Sequence, residues 1–343
     1  MSSPQQSSGT TWTPGDFEHP NPALRRSITT ALCFAFILST LAVVLRIVAR
    51  KMTGNRLFLD DYLIMIALFF KYACSGGVTV LLFNGLGSHI TMIPPKNLVV
   101  YFQIGYSNNF VYTGCVAFIK FSILALYKRL FSTRYMNIAV NAMFGFVSLW
   151  VVGVYVAGAL ICIPANKFWD QSVEGACLDP YKFAYGLQVP NILGDLIILV
   201  MPMHVVWSLP ISKSQKALLC GVFLIGGLTL IFDIFRLQAM IRLSDLGPDI
   251  TYNQVPVVVW TCIEAAVGIT AACLPNLRPL FKLRQRGFWS QLRSSSNHSG
   301  KNLISSKTSG STITSQEKPY DSSVAGESFE VARYNEYTKC VKE

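Results

Sequence analysis

Charge is scarce in this chain: 14% of its 343 residues are Asp, Glu, Lys or Arg, against 52% hydrophobic. That balance excludes an ordinary water-soluble globule. The four histidines, His19, His89, His204 and His298, are scattered without metal-ligand spacing, so no metal site is expected. The sequence has no G-x-S-x-G elbow, P-loop or dinucleotide fingerprint, which removes the common hydrolase and nucleotide readings and leaves no expected cofactor. Residues 1–26 are polar and lack an apolar core. A cleavable leader is therefore not expected, and the first apolar run should act as its own signal anchor.

Long apolar runs are what the chain has in abundance, and its mean hydropathy is +0.42. Seven runs stand out, at residues 27–49, 61–83, 98–131, 136–163, 183–207, 217–243 and 255–277. Each reaches about 23 residues, enough at ~1.5 Å per residue to cross a hydrocarbon core of ~30 Å. The expected fold class is all-α, a seven-transmembrane helix bundle, with the lipid bilayer as its first partner.

The Lys and Arg residues of the connections set the expected orientation. Arg46, Arg50, Lys51 and Arg56 surround the first connection, Lys128, Arg129 and Arg134 the third, Lys213 and Lys216 the fifth, and Arg278, Lys282, Arg284 and Arg286 follow the last run. The alternate connections hold Lys96, then Lys167 and Lys182 against Asp170, Glu174 and Asp179, then Asp245 and Asp249. The N-terminus should lie outside and the C-terminus in the cytoplasm. Much of the net charge of +11 is then a topology signal, and no nucleic-acid partner is expected.

Three regions follow: 1–23, a short extracellular segment; 24–281, the membrane domain; and 282–343, a cytoplasmic tail. The tail is rich in Ser, Thr, Lys and Gly and is expected to be disordered, because it holds too little apolar surface to bury. The single N-x-S/T sequon, Asn297-His298-Ser299, lies in that tail, so no N-glycan is expected.

Of the nine cysteines, Cys162 and Cys177 fall together in the longest outer connection. An oxidising compartment favours a disulfide between them, and closing about 15 residues would restrain the unfolded chain by ~3 kcal/mol. Cys115 lies ~25 Å along the third helix and is too deep to bond to this loop. The cysteines inside the runs read as small apolar packing groups.

The most informative residues are the charges inside the runs. Lys120 stands ~12 Å before the basic end of the third helix, too far to snorkel. At ~100° per residue, Gln103, Tyr106, Asn109, Thr113, Ala117, Lys120 and Tyr127 share an arc. That arc should face the bundle interior, since a central lysine in lipid costs at least ~2.5 kcal/mol. On the fifth helix Gln188, Asn191 and Asp195 share a face, and Asp195 is the expected partner of Lys120. Asp233 and Arg236 on the sixth are spaced to pair within their helix. Glu264 on the seventh and Lys71 on the second complete a polar chamber expected among helices two, three, five, six and seven.

Several motifs then resemble one family, the fungal integral membrane proteins with a rhodopsin-like seven-helix domain. They are "ARK" at 49–51, "DDYLI" at 60–64, "GLGSH" at 85–89, "KFSILALYKRLF" at 120–131, Cys162 with Trp169 and Cys177, "NILGDLIILVMP" at 191–202, Arg236, and "WTCIEAAVGITAACLPNLRPLF" at 260–281. The resemblance covers most of 24–281 in order. It implies a receptor-like protein or one encoded beside secondary-metabolite genes. Tyr127-Lys128-Arg129 lacks the acid that precedes arginine in animal receptors, so the sequence gives no support for G-protein coupling. Opsins attach retinal to a lysine on the seventh helix; residues 255–277 contain none, and photoreception is not expected.

The leading functional expectation is a receptor-like protein whose chamber binds a lipophilic small molecule through Lys120, Asp195, Glu264, Asp233, Arg236 and Asn191. A ligand would shift helices six and seven at Gly226, Gly227 and Pro275, toward a cytoplasmic signalling partner. The alternative is a membrane enzyme, an acid-catalysed cyclase or isomerase of secondary metabolism, with Asp195, Asp233 or Glu264 as proton donor. A transporter ranks third, since no inverted repeat or broken helix is evident.

Overall fold

The computed structural model describes residues 22–277 apart from 55, 132, 171, 208–212 and 246–248; the 282–343 tail and the Asn297 sequon lie outside the described residues. Among these, seven helices are long and apolar enough to cross a membrane. They are α1 (Pro22–Met52), α2 (Leu59–Phe83), α3 (Pro95–Leu130), α4 (Arg134–Ala159), α5 (Pro180–Trp207), α6 (Lys213–Asp245) and α7 (Val255–Cys273). A helical turn, Ile250–Asn253, precedes α7, and a 3-10 turn, Leu274–Leu277, closes it.

Local chemistry places the helix starts. Pro95 opens α3, where its missing N–H costs nothing. Thr133 caps α4, its hydroxyl accepting the Met136 N–H at 3.4 Å. The Asp61 carboxylate reaches back to the Phe58 N–H at 3.0 Å and starts α2. Helix α4 ends at Ala159 instead of running to 163, because Cys162 and Ile163 pair as an antiparallel ribbon with Ala176 and Cys177. The Cys162–Cys177 disulfide closes that ribbon.

The helices are ordered inside out compared with those of a water-soluble protein. On α1 the buried face is Ile28, Ala31, Ala35, Ser39, Ala42, Val43, Arg46, Ala49 and Arg50, whereas Phe34, Ile37 and Leu41 are exposed. Small and polar groups turn inward because lipid offers nothing to drive large apolar groups away from it, while small ones let backbones approach. Helix α7 answers with buried Ala265, Ala266, Ala272 and Cys273 and packs along α1.

Helix α3 is the axis, packed against α2, α4, α5 and α7. Its most apolar stretch is 72% buried, against 22% for α4 and 17% for α6, so the part of its polar stripe from Thr113 to Tyr127 faces protein. At the disulfide end, Gly85 (φ +112°) and Gly87 (φ +89°) adopt backbone that side chains disfavour. They turn the chain so that the Gly87 N–H reaches Thr251 O at 2.9 Å and Thr251 Oγ1 reaches Ser88 O at 2.7 Å. The "GLGSH" segment thereby ties the α2–α3 connection to the start of α7.

The opposite end is held by ions. Arg46 donates to Asp60 at 2.6 Å and to Asp61 at 2.8 Å, and its Nη1 reaches Ala272 O at 2.7 Å. Arg50 pairs with both aspartates at 3.2 Å and donates to Asn276 at 2.7 Å. Arg129 joins from α3, 2.7 Å from Asp60. Arg46 and Arg50, read from sequence only as basic residues around the first connection, are buried, Arg46 at 0% exposure. Its carboxylate partners belong to the "DDYLI" motif, whose acids sit at the same end as the arginines once the helices alternate in direction.

Candidate ligand-binding chamber

Lys120 is the starting point, because a buried ammonium must be satisfied on every side. It is 2% exposed, its Nζ lies 2.7 Å from Asp195 Oδ2, and it donates to Asn191 O at 3.0 Å. The Trp150 ring centroid is 5.9 Å away, within cation–π range. Gly194 packs beside the ammonium, where a Cβ would stand at ordinary contact, 3.5 Å from Nζ.

The acid and base of α6 do not pair with each other as their spacing had suggested. Arg236 turns to α7 and α3: its Nη1 donates to Glu264 Oε2 at 3.3 Å and to the Tyr112 hydroxyl, which in turn donates to Glu264 Oε1. The guanidinium also lies 4.2 Å over the Tyr112 ring. Asp233 faces α5, where Gln188 and Asn191 each donate to its Oδ1 at 3.3 Å. The i, i+3 spacing makes a pair possible, but partners on neighbouring helices satisfy more hydrogen bonds.

These groups form a hydrogen-bonded layer with a cavity on each side. The inner cavity, about 70 Å³, is lined by Lys120, Tyr127, Asp195, Asp233, Glu264 and Pro275 among others. It is large enough for a few waters. The outer cavity, about 230 Å³, is lined by Tyr106, Asn109, Trp150, Phe168, Gln188 and Arg236 among others. Tyr106, Asn109, Thr113, Lys120 and Tyr127 of the predicted stripe line one cavity or the other; Gln103 is exposed and lines neither. Lys71 also lines neither, donating to Ser75 Oγ at 2.9 Å.

Two polar atoms of the layer lack partners among the described residues: Arg236 Nε and Asn191 Oδ1. A buried donor left unmade costs ~1–3 kcal/mol, so Arg236, 6% exposed and lining the outer cavity, is a standing demand for an acceptor oxygen. Above it the disulfide loop supplies a lid. Phe168 packs edge-on to Phe102 with centroids 6.1 Å apart, and Tyr106 lies 5.4 Å from Phe168 and 6.0 Å from Trp169.

Sequence reasoning missed three contributors. Tyr112 gave one signal, a phenol hydroxyl deep in an apolar helix that needs a partner. Trp150 sits on α4, whose run carries no charge, and nothing marked its inward face. Phe168 lines the chamber only because the disulfide ribbon folds its loop back over α3.

With this geometry in view, the comparison with known sequences decides the family: the fungal rhodopsin domain matches residues 45–283. The chain belongs to the fungal rhodopsin domain family. Its seven apolar helices make this family member a multi-pass integral membrane protein. It is 30% identical over 264 residues, 71% of each chain, to the polyenoic acids biosynthesis gene cluster protein Ba17b of Metarhizium anisopliae. It is 27% identical to the SAT4 family membrane protein of Emericella nidulans, over 68% of this chain and 57% of that one. It is 24% identical to the receptor GIN3 of Arthrobotrys oligospora, over 76% of this chain and 64% of that one. Fungal rhodopsin-domain relatives thus include a protein named as a receptor and others named for biosynthetic clusters.

Proposed function

We propose that this protein is a receptor-like membrane protein whose outer cavity binds a lipophilic small molecule. The observation that carries the reading is the unpartnered Nε of buried Arg236 on the wall of an aromatic-lined 230 Å³ cavity. An acceptor oxygen of the ligand takes that N–H, and the apolar body lies against Tyr106, Trp150 and Phe168. Arg236 bridges to Glu264 on α7 and Tyr112 on α3. A ligand that draws the guanidinium outward therefore favours a different spacing of α3, α6 and α7, and the shift is limited to its differential affinity for the two arrangements. Lys120, Asp195 and Asp233, on the inner face of the layer, re-pair as it moves.

Gly226, Gly227 and Pro275 remain the points where α6 and α7 would flex in this reading. A Cβ on Gly226 would meet Leu199 Cδ1 at 2.5 Å, so this glycine permits close α5–α6 packing, while Pro275 lies in the closing turn of α7. We place the disulfide end outside, since its disulfide suits an oxidising compartment, and the arginine end with residues 282–343 in the cytoplasm, beside the signalling partner.

The test uses full-length purified protein and long-chain polyunsaturated carboxylic acids as first probes, a choice guided by the name of the Metarhizium relative. A binding probe raises Tm; Arg236→Gln and the milder Tyr106→Ala, which leaves the polar layer whole, both cut that rise. Undiminished stabilisation in both variants would place the ligand elsewhere. The enzyme reading draws on the cluster-named relatives, but Asp233 and Glu264 face the 70 Å³ space, too small for a lipophilic substrate. Turnover of a polyprenyl or polyketide precursor, abolished by Glu264→Gln, would favour it.

A further inference from the structure

A further cavity lies at the arginine end, with a lining that shares no residue with either cavity of the chamber. A groove of about 550 Å³ opens between α2, α3 and α4, lined by Phe58, Leu59, Lys128, Arg129, Asn141 and Phe144 among others. Its chemistry is divided, and Asp60, engaged by Arg46, Arg50 and Arg129, also lines it. Leu59 is 66% exposed and Phe58 42% exposed, whereas Lys128 and Arg129 bring charge to the same space.

That charge is not neutralised among the described residues. Arg46, Arg50, Arg129 and Lys128 share this end with the two carboxylates of Asp60 and Asp61, leaving a surplus of two positive charges. Arg46 and Arg50 already engage both aspartates. Arg129 gives Nη1 to Asp60 and Nη2 to Asn276, although a guanidinium has five N–H groups, and it is the most open arginine of the cluster, its side chain 28% exposed. Lys128 Nζ donates to Asn141 Oδ1 at 3.1 Å, which holds the ammonium at the groove while an ammonium keeps three donors. Phe58 braces the cations, with Arg129 Cζ 4.5 Å and Arg50 Cζ 5.3 Å from its ring centroid.

An anion that fits here needs several acceptor oxygens for a guanidinium fork and an ammonium, together with an apolar part that lies along Leu59 and Phe144. The groove sits at the ends of three of the apolar helices, where the headgroups of a surrounding bilayer would lie. We propose that it is a binding site for an anionic phospholipid, with the headgroup phosphate held by Arg129 and Lys128 and the acyl chains lying along α2 and α4. The lipid supplies the negative charge that the arginine cluster lacks and fastens α2, α3 and α4 where Arg129 meets Asp60. This proposal is independent of the small-molecule reading of the chamber.

The experiment places the full-length protein in nanodiscs of phosphatidylcholine alone or of phosphatidylcholine with phosphatidylinositol phosphate. The readouts are Tm and the lipid retained in native mass spectrometry. Wild-type protein should keep one anionic lipid and melt at higher temperature in the mixed discs. Lys128→Gln, which leaves the arginine–aspartate cluster intact, should weaken retention about fivefold, the effect of one cation at a membrane surface. Lys96→Gln, which removes a cation at the other end of α3, should leave retention unchanged. Equal retention by wild type and Lys128→Gln would overturn the proposal, as would an equal loss in Lys96→Gln. Stabilisation in neutral discs by soluble inositol phosphate to the same degree would also overturn it, because the site would then take a free phosphate.

Discussion

The arginine end and the mid-membrane layer are built from the same kinds of side chain, yet they differ in completeness. At the arginine end both aspartates are fully engaged, with Asp60 accepting from Arg46, Arg50 and Arg129 and Asp61 from Arg46, Arg50 and the Phe58 N–H. In the layer, Arg236 Nε and Asn191 Oδ1 are left over, the Asp233 contacts are stretched to 3.3 Å, and cavities lie on both faces. Buried carboxylates engaged on every side hold helices in place, and the spare donors of Arg129 and Lys128 lie on the open face of that end. Buried polar atoms left without partners beside empty volume can exchange partners, as the proposed receptor reading requires.

This comparison can be broken by substitution. The largest expected effect is Asp61→Ala, which strands Arg46 and Arg50 in the packed end and should cost ~3–5 kcal/mol, read as loss of monodisperse protein in detergent chromatography and a collapse of Tm. Next, replacing Cys162 and Cys177 together by serine should cost ~3 kcal/mol through the released loop and loosen the Phe168 lid; thermal melts check the first and limited proteolysis of the α4–α5 loop the second. Glu264→Gln should cost less, ~1–3 kcal/mol, because the adjoining cavities let water reach the orphaned Arg236. If Glu264→Gln destabilises as strongly as Asp61→Ala, the layer is as structural as the arginine end and the contrast fails.

Two smaller effects sharpen it. Replacing Lys120 by Met together with Asp195 by Leu removes a buried pair at once and should change Tm little, since apolar replacement of a whole pair is often neutral. The ligand-induced rise in Tm should disappear in the same protein. The smallest effect is at the disulfide end, outside the spans, where Asp249 lies against His89 Nδ1 and accepts the Ile90 N–H at 3.0 Å. Partial burial pushes its carboxyl up, but the hydrogen bonds from His89 and Ile90 outweigh it and hold the group below its ordinary value of 3.8. A carboxyl lowered in the folded state contributes stability that is present above that ordinary value and lost as pH falls through the folded one. Melts between pH 6 and 3 should therefore drop more steeply in wild type than in Asp249→Asn.

Legibility from sequence follows the range of each interaction. The Lys120–Asp195 pair was readable because each ion stood alone in an apolar run at matching depth. The spacing of Asp233 and Arg236 allowed a pair within α6 but did not decide it, because spacing within one helix says nothing of what the next helix presents. Arg46 and Arg50 were read as connection charges, although Asp60 and Asp61 at the same end were the signal that they could be buried. Trp150 and Phe168 carried no signal, being apolar residues in apolar or loop surroundings.

By itself the amino-acid order determined how many spans there are, roughly where each begins, which two cysteines meet and which ions must hide from lipid. Those are consequences of length, hydropathy and sequence separation, all local quantities that a bilayer and a short loop respond to directly. Only the tertiary structure decided which acid meets which base, that α4 and the loop join the chamber, and that one expected space is divided in two. Each helix turns ~100° per residue, so a small change of rotation or depth hands a side chain to a different neighbour, and only the packing of all seven selects one.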